Sequence, residues 1–378
     1  MQKLSNRIVT VNRSPVIFGP DSYPALDRLV KSMHPHRVFI LVDENTHQHC
    51  MPQLFNSVTT LAGAKVLKIT GGESSKSFDN AVALWKELLT LGTDRSGLII
   101  NLGGGVVSDL GGFVASNFLR GIRYINIPTS LMAMSDAAIG GKTAVNVGFM
   151  KNQVGSFYPP AAIFIFPLFL ETLSRDHLRS GFAEIVKSAL IGNEGLWKKI
   201  KAHPVSEVLD IPADSPFWHH LILATATLKN RIVERDFREK KERKALNFGH
   251  TIGHALESYF MQTGAGELFH GDAVAAGMMG AVWLSAKKNF LSPAQLEVVC
   301  RYLREGFPRI KIENDAIPEV LGFMKSDKKR MAGLVTFTLL AKPGTPVLNI
   351  PCSEDEVTEA LEFINSFSPS HHEKSLSQ

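Results

Sequence analysis

The sequence predicts an α/β half followed by a helical half. Short β-rich runs alternate with helical patterns through residues 1–172, and beyond residue 173 apolar positions recur mainly at helical spacing. A chain of 378 residues also exceeds one ordinary core, so two domains are expected. Their expected bounds are 1–172 and 173–366, with a Ser/His/Lys-rich tail at 367–378 whose composition predicts disorder.

In the first half, strands are expected at 16–19, 37–42, 65–70, 97–102, 123–127 and 162–166. Helices are expected at 22–33, 48–61, 78–91 and 106–118. Such alternation implies an open, mostly parallel sheet covered on both faces, with ligands bound beyond the carboxyl ends of its strands. In the second half, Ser174 is placed to cap a helix carrying Leu178, Phe182, Ile185 and Ala189. Further helices are expected around 221–232 and at 250–259, 272–286, 293–303 and 354–365. A hairpin of 334–339 with 346–349 interrupts them.

Composition narrows the class. With 44% hydrophobic and 20% charged residues, the chain reads as a soluble globular protein. Cys50, Cys300 and Cys352 are odd in number and far apart, which argues against a disulfide framework and fits a reducing compartment. No apolar stretch reaches the roughly 18 residues of a membrane span, and the first residues lack the apolar core of a signal peptide. A cytoplasmic protein is therefore expected. A net charge of +5 is too slight to argue for nucleic acid. The most basic stretch, KNRIVERDFREKKERK at 229–244, reads either as a solvated helix face or as a source of cations for a small anion.

Several strand ends carry chemistry. Residues 98–102 lead into Gly103-Gly104-Gly105 and a helix, a turn that lets backbone approach a pyrophosphate. Tight turns need glycine in any case, and Ser108 stands where the usual dinucleotide fingerprint has its third glycine. Asp43 ends an earlier strand, whereas the ribose-binding acid of that fingerprint follows the glycines by about 20 residues. Both a nucleotide-binding sheet with its own wiring and a plain α/β sheet remain open. Between 120 and 152, Thr129, Ser130, Asp136, Lys142, Asn146, Lys151 and Asn152 interrupt an apolar, small-residue stretch. Asp136 and Lys142 there imply a lined cavity or an internal ion pair.

The stretch 247–270, NFGHTIGHALESYFMQTGAGELFH, places His250 and His254 four apart, on one face of a helix. His270 opens the next helical run beyond a glycine-containing loop. The three histidines read as a site for a divalent metal of the zinc type, or as a helix pair with nothing bound. Thr251 occupies the Glu position of HExxH, which argues against a zincin-type protease.

Taken together, the segments GGGVVSDLGGFVA, FLRGIRYINIPTSLMAMSDAAIGGKTAVN, KNQVGSFYPP, SGFAEIVKSALI, KALNFGHTIGHALE, FHGDAVAAGM and DKKRMAG resemble the 3-dehydroquinate synthase family of sugar-phosphate cyclases. That resemblance implies an N-terminal Rossmann-like nucleotide-binding domain and a C-terminal helical metal-binding domain, with the active site in the cleft between them. It implies NAD contacts at Asp43, Glu73, Lys76, Gly104, Gly105, Val106, Asp109, Thr129, Ser130, Asp136, Lys142, Lys151 and Thr172. The implied ligands of Zn²⁺, or alternatively Co²⁺, are Glu184, His250 and His270. Catalytic roles are implied for Lys142, Glu184, Lys187, Lys229, Arg243, Asn247 and His254. Substrate contacts are implied for Arg120, Asp136, Asn152 and either Lys328 or Lys329, with Arg120 reaching the neighbouring subunit of a homodimer.

The implied reaction oxidises C5 of 3-deoxy-D-arabino-heptulosonate 7-phosphate with NAD, eliminates phosphate, returns the hydride and closes the carbocycle by an aldol step. Two other enzyme readings share the architecture. A valiolone synthase would act on sedoheptulose 7-phosphate, which lacks the carboxylate that Arg243, Lys229 and Asn247 suit. A metal- and NAD-dependent polyol dehydrogenase would not need Lys142, Asn152 and Lys187 around a phosphate. A cofactor-binding protein that has lost catalysis is disfavoured by the retained ligand and cation positions. Departures from the family pattern are Ser108, Gly111, Ser130, Asp272 and Lys241. Lys241 stands at a usual glycine and puts the geometry around Arg243 in question.

Overall fold

A computed structural model describes residues 7–9, 14–19, 22–148, 150–264, 266, 268–326, 330–331 and 334–369. The strands in chain order are β1 (Arg7–Val9), β2 (Val16–Phe18), β3 (Val38–Asp43), β4 (Lys65–Ile69), β5 (Leu98–Gly103) and β6 (Arg123–Pro128). They continue as β7 (Lys142–Val147), β8 (Met150–Phe157), β9 (Ala162–Ile165), β10 (Arg330–Met331), β11 (Leu334–Lys342) and β12 (Thr345–Cys352). The early helices are α1 (Ser22–Met33), α2 (Glu44–His49), α3 (Met51–Ser57), α4 (Phe78–Thr90) and α5 (Gly105–Asn117). Next come α6 (Arg175–Gly192), α7 (Glu194–Ile200), α8 (Val205–Val208), α9 (Pro216–Arg235) and α10 (His250–Thr263). The last are α11 (His270–Lys287), α12 (Pro293–Gly306), α13 (Ile317–Ser326) and α14 (Glu354–Ser366).

The chain divides into two compact units. Unit 1 is Met1–Ile185 with Ile211–Arg243, and unit 2 is Val186–Asp210 with Lys244–Gln378. Helix α6 runs through the division, so its residues belong to both. Helix α9 and the loop after it return to the sheet-bearing unit, although they follow residue 173 in sequence.

Unit 1 is built on a sheet ordered β1-β2-β9-β6-β5-β3-β4. All neighbours pair in parallel except β1 with β2. Strand β5, LIINLG, is buried along its whole length, as a central parallel strand covered on both faces must be. From β3 the chain moves to β4 at one edge, then returns to β5 on the other side of β3. The order therefore reverses between β3 and β5. This explains why Asp43 precedes the glycine turn: the two strands are spatial neighbours, Leu41 opposite Asn101, but β3 comes earlier in the chain.

Helix α5 lies close against this sheet. A Cβ on Gly111 would stand 1.9 Å from Asn101 Oδ1, and one on Gly112 would stand 2.6 Å from Thr143 Cγ2 on β7. The glycine at 111 thus accommodates a buried asparagine that a larger residue would displace. Asn101 donates to Asn126 Oδ1 at 2.9 Å, and Asn126 donates to the Ala138 carbonyl at 3.0 Å.

Two expectations differ from the structure. The single helix at 48–61 is split into α2, α3 and a short turn at Thr59–Leu61, because Pro52 lacks an N–H and starts a new helix. Residues 142–147 and 150–157 pair as antiparallel strands, β7 and β8, with Val145 opposite Val154. Most of β8 is exposed, so no buried face imposes a strand-like apolar alternation.

Unit 2 is helical around a hairpin, β11–β12, joined by the short β10. Helices α12 and α14 begin with capping boxes, Ser292 with Gln295 and Ser353 with Glu356. None of the described helices is long and apolar enough to cross a membrane.

Candidate active site

Unit 1 gathers polar groups at the carboxyl ends of its strands. Asp43 closes β3 and caps α2, accepting from Thr46 N at 2.7 Å and Thr46 Oγ1 at 2.9 Å. Gly104 is the cap residue of α5 and provides no side-chain cap, so the first turn's N–H groups have no side-chain acceptor there. A Cβ on Gly104 would approach Ser130 Oγ to 3.3 Å, and one on Gly105 would approach Ala137 Cβ to 3.4 Å. The turn is tight on both sides, and Val106 follows within α5. Thr129 donates its N–H to the Gly103 carbonyl at 3.1 Å, which joins the end of β6 to the same turn. Thr172 lies exposed at the end of the turn after β9.

A network continues from there. Buried Lys76 donates to Asp109 Oδ2 at 2.5 Å and also to Asn152 Oδ1. Asn152, itself left-handed with φ 57°, donates its N–H to Asn146 Oδ1 at 2.9 Å. Asn146 donates to Glu73 Oε1 at 2.8 Å. Burial pushes the Asp109 carboxyl above its ordinary range, with Lys76 pulling it down. Lys151 is half-buried beside Asn152 on β8.

The basic stretch is not wholly a solvated face. Lys229 is buried and donates to the Asp136 carboxylate, and to the Asp136 carbonyl at 2.7 Å. Lys142 donates to Glu239 Oε2. Protein atoms crowding the Lys142 ammonium lower it although nearly half of the side chain is exposed, while Glu239 opposes that shift. Arg243 is 1% exposed, its Nη1 donating to the Phe237 carbonyl at 2.6 Å and its Nη2 to that of Gly140 at 3.0 Å. Its Nε has no hydrogen-bond partner among the described residues.

The loop before Arg243 resolves the question posed by Lys241. Asp236 accepts N–H bonds from Lys240 at 2.9 Å, Lys241 at 2.6 Å and Arg243 at 3.1 Å. The left-handed position in the loop is Glu239, φ 55°, and not Lys241. Burial alone would raise the Asp236 carboxyl, but the three N–H donors outweigh it and hold it below its ordinary range. Another strained backbone lies at Leu119 and Arg120, φ 49° and 68°, where Arg120 is exposed.

The second region is made by α10 and α11. His250, His254 and His270 stand with ring centroids 5.1, 5.4 and 5.8 Å apart. His250 Nδ1 lies 3.2 Å from the Phe248 carbonyl, which can only accept, so that nitrogen carries a proton and, in the neutral ring, Nε2 has the lone pair. Glu184 and Lys187 of α6 are each 1% exposed. Glu184, His250 and His270 each offer one ligand atom, all within 4.8 Å of one another. One carboxylate and two imidazoles fit a zinc-type ion. Glu257 is a further buried carboxylate here, 3.1 Å from His270 Nδ1. Sequence reasoning passed over it, although its spacing of seven from His250 was a usable signal. Asn247 ends the helical turn Glu242–Asn247, one turn before His250. Lys328 and Lys329 lie outside the described residues.

Comparison with known proteins gives a consistent answer. The family model described as 3-dehydroquinate synthase N-terminal matches residues 66–180, and that described as 3-dehydroquinate synthase C-terminal matches 181–330. A 3-dehydroquinate synthase of Parabacteroides distasonis is 37% identical over 354 residues, covering 93% of this chain and 98% of its own length. One of Leptospira interrogans is 36% identical over 326 residues, covering 86% and 88%. Among solved structures, a 2-epi-5-epi-valiolone synthase from Streptomyces hygroscopicus, with NAD⁺ and Zn²⁺ bound, is 25% identical with a TM-score of 0.81. That match covers 96% of this chain and 99% of the other. A 2-deoxy-scyllo-inosose synthase shares the fold at a TM-score of 0.82 and 23% identity, over 94% and 99%. By its sequence over nearly its full length, the chain belongs to the 3-dehydroquinate synthase family.

Proposed function

We propose that this chain converts 3-deoxy-D-arabino-heptulosonate 7-phosphate to 3-dehydroquinate and phosphate, a step of the shikimate pathway. The observation that carries the reading is the match to a 3-dehydroquinate synthase over 93% of the chain and 98% of that relative. The donor set Glu184, His250 and His270 and the glycine turn of α5 support the two cofactors this reaction needs. When bound, Zn²⁺ or Co²⁺ supplies Lewis-acid polarisation of substrate hydroxyls, and NAD supplies reversible hydride acceptance.

The chain's own residues supply the rest of this reading. Residues 1–172 form the cofactor half and 173–366 the metal- and substrate-binding half. Gly104, Gly105 and Val106 offer backbone N–H groups to a pyrophosphate. Asp43, Glu73, Lys76, Asp109, Thr129, Ser130, Lys151 and Thr172 bind the remainder of the dinucleotide, with Asp136 and Lys142 near its reactive end. Arg243, Lys229 and Asn247 bind the substrate carboxylate, and the unpartnered Nε of Arg243 suits that role. Lys142, Asn152, Lys187 and His254 hold the phosphate, with Lys328 or Lys329 as a further cation. Arg120 completes the phosphate site of a neighbouring copy in a homodimer; its exposure on a strained turn supports an intermolecular role. The enzyme works in the cytoplasm.

The testing assay supplies the heptulosonate phosphate, NAD and Zn²⁺, and follows phosphate together with dehydroquinate. Both products are expected, with no net NADH. Phosphate release from sedoheptulose 7-phosphate alone would establish a valiolone-type cyclase, and stoichiometric NADH without phosphate a dehydrogenase. His250→Ala is expected to abolish metal retention and turnover; full zinc occupancy in that variant would remove His250 from the ligand set.

A further inference from the structure

Helix α10 carries His250, His254 and Glu257 at i, i+4 and i+7, a single stripe along its length. The proposed reaction uses the two histidines and leaves Glu257 without a role. Yet Glu257 is 3% exposed, and a carboxylate so buried is costly unless it is paired. Its Oε2 lies 3.1 Å from Nδ1 of His270, the first residue of α11.

Backbone packing sets this pairing. A Cβ on Gly277 would stand 1.9 Å from the Gly249 carbonyl oxygen, and one on Gly253 would stand 3.2 Å from that of Ala273. A turn forward along α10, from Gly249 to Gly253, is therefore a turn backward along α11, from Gly277 to Ala273. One more turn brings Glu257 opposite His270. The helices approach so closely at their glycines that the register leaves the carboxylate facing the imidazole.

We propose that Glu257 is a positioning residue for His270. It accepts the Nδ1–H, fixes the tautomer that leaves the lone pair on Nε2, and strengthens the hold of the centre on its metal. The inference rests on the reading of Glu184, His250 and His270 as ligands. His250 is fixed in the same tautomer by a neutral carbonyl, that of Phe248 at 3.2 Å. The charged acceptor on His270 makes that imidazole the more electron-rich donor. His254, Glu257 and His270 also offer ligand atoms within 4.8 Å of one another, so Glu257 could instead bind a metal directly. The hydrogen bond to His270 favours the positioning role.

The test titrates metal-free full-length protein with Co²⁺, read by visible absorption, and with Zn²⁺ against a chromophoric chelator. The unsubstituted chain should take up one equivalent. Glu257→Gln should weaken affinity about 10-fold and Glu257→Ala about 100-fold, with stoichiometry unchanged. Glu257→Gln keeps the shape of the side chain, and its unfolding transition and NAD affinity check that the fold survives. Affinity within about two-fold of the unsubstituted chain in Glu257→Gln and Glu257→Ala, with His250→Ala still impaired, overturns this proposal alone. A second equivalent that Glu257→Ala removes makes Glu257 a ligand and overturns it as well. No Co²⁺ uptake by the unsubstituted chain overturns the metal reading itself.

Discussion

The two chemical regions are held in opposite ways. In unit 1, cations rest on acids: Lys76 on Asp109, Lys229 on Asp136 and Lys142 on Glu239. On α10 and α11, imidazoles are fixed through one nitrogen by acceptors, the Phe248 carbonyl and Glu257. An anion that takes Lys76, Lys142 or Lys229 must draw that cation from a carboxylate, so part of its binding energy goes into exchange of partners. A metal entering the second finds lone pairs already oriented. On the proposed reading, the difference separates a region that selects by competition from one that selects by preorganisation.

The comparison can be broken most severely at Lys229. Lys229→Met removes the ammonium that Asp136 accepts from in a mostly buried position and should cost about 3 kcal/mol of stability together with nearly all turnover. Adding Asp136→Asn should restore much of the stability in urea titrations and none of the turnover. Next in size is Gly277→Ala, which forces α10 and α11 apart. It should cost about 2 kcal/mol and lower metal affinity while sparing NAD binding, as read by thermal unfolding and metal titration.

Asp236→Asn should cost about 1–2 kcal/mol at neutral pH through its three N–H bonds. A carboxyl held below its ordinary range contributes stability above that range and loses it as pH falls through the folded-state value. The gap between Asp236→Asn and the unsubstituted chain should therefore close in acid, measured by urea unfolding at several pH values. The smallest effect is expected at Glu239, whose partner Lys142 has a half-exposed side chain. Glu239→Gln should change stability by less than about 1 kcal/mol, yet lower KM for the phosphate substrate by releasing Lys142 from competition. An unchanged KM would show that the pair does not compete with the substrate.

Much of this was legible in the sequence, for identifiable reasons. Strands β3, β5 and β9 are buried apolar runs, α1 buries Leu26 and Val30 at helical spacing, and α4 opens on the cap Ser77, so their placement followed from patterning. The histidine stretch located one region, and four-residue spacing correctly put His250 and His254 together. Spacing alone could not give the two rings different roles, because both face the same way. The position of Asp43 was a puzzle only while the strand order was unknown. The hairpin of Lys142 and Asn152 escaped because β7 is buried in one short block and β8 is mostly exposed, so neither strand shows apolar alternation. Glu257 escaped because its role depends on the register between two helices, which one helix's periodicity does not contain.

The sheet order also bears on how the chain assembles. Strand β2 lies beside β9, with Val16 opposite Ile163, while β3, β4, β5 and β6 pair among themselves. Emerging from a ribosome, β2 has no parallel neighbour until Ala162–Ile165 has been made. The central strands can associate before then, through much shorter chain closures. The edge formed by β1 and β2 is therefore the last part of the sheet to close. In pulse-labelled hydrogen exchange during refolding, amides of β5 should gain protection before those of β2.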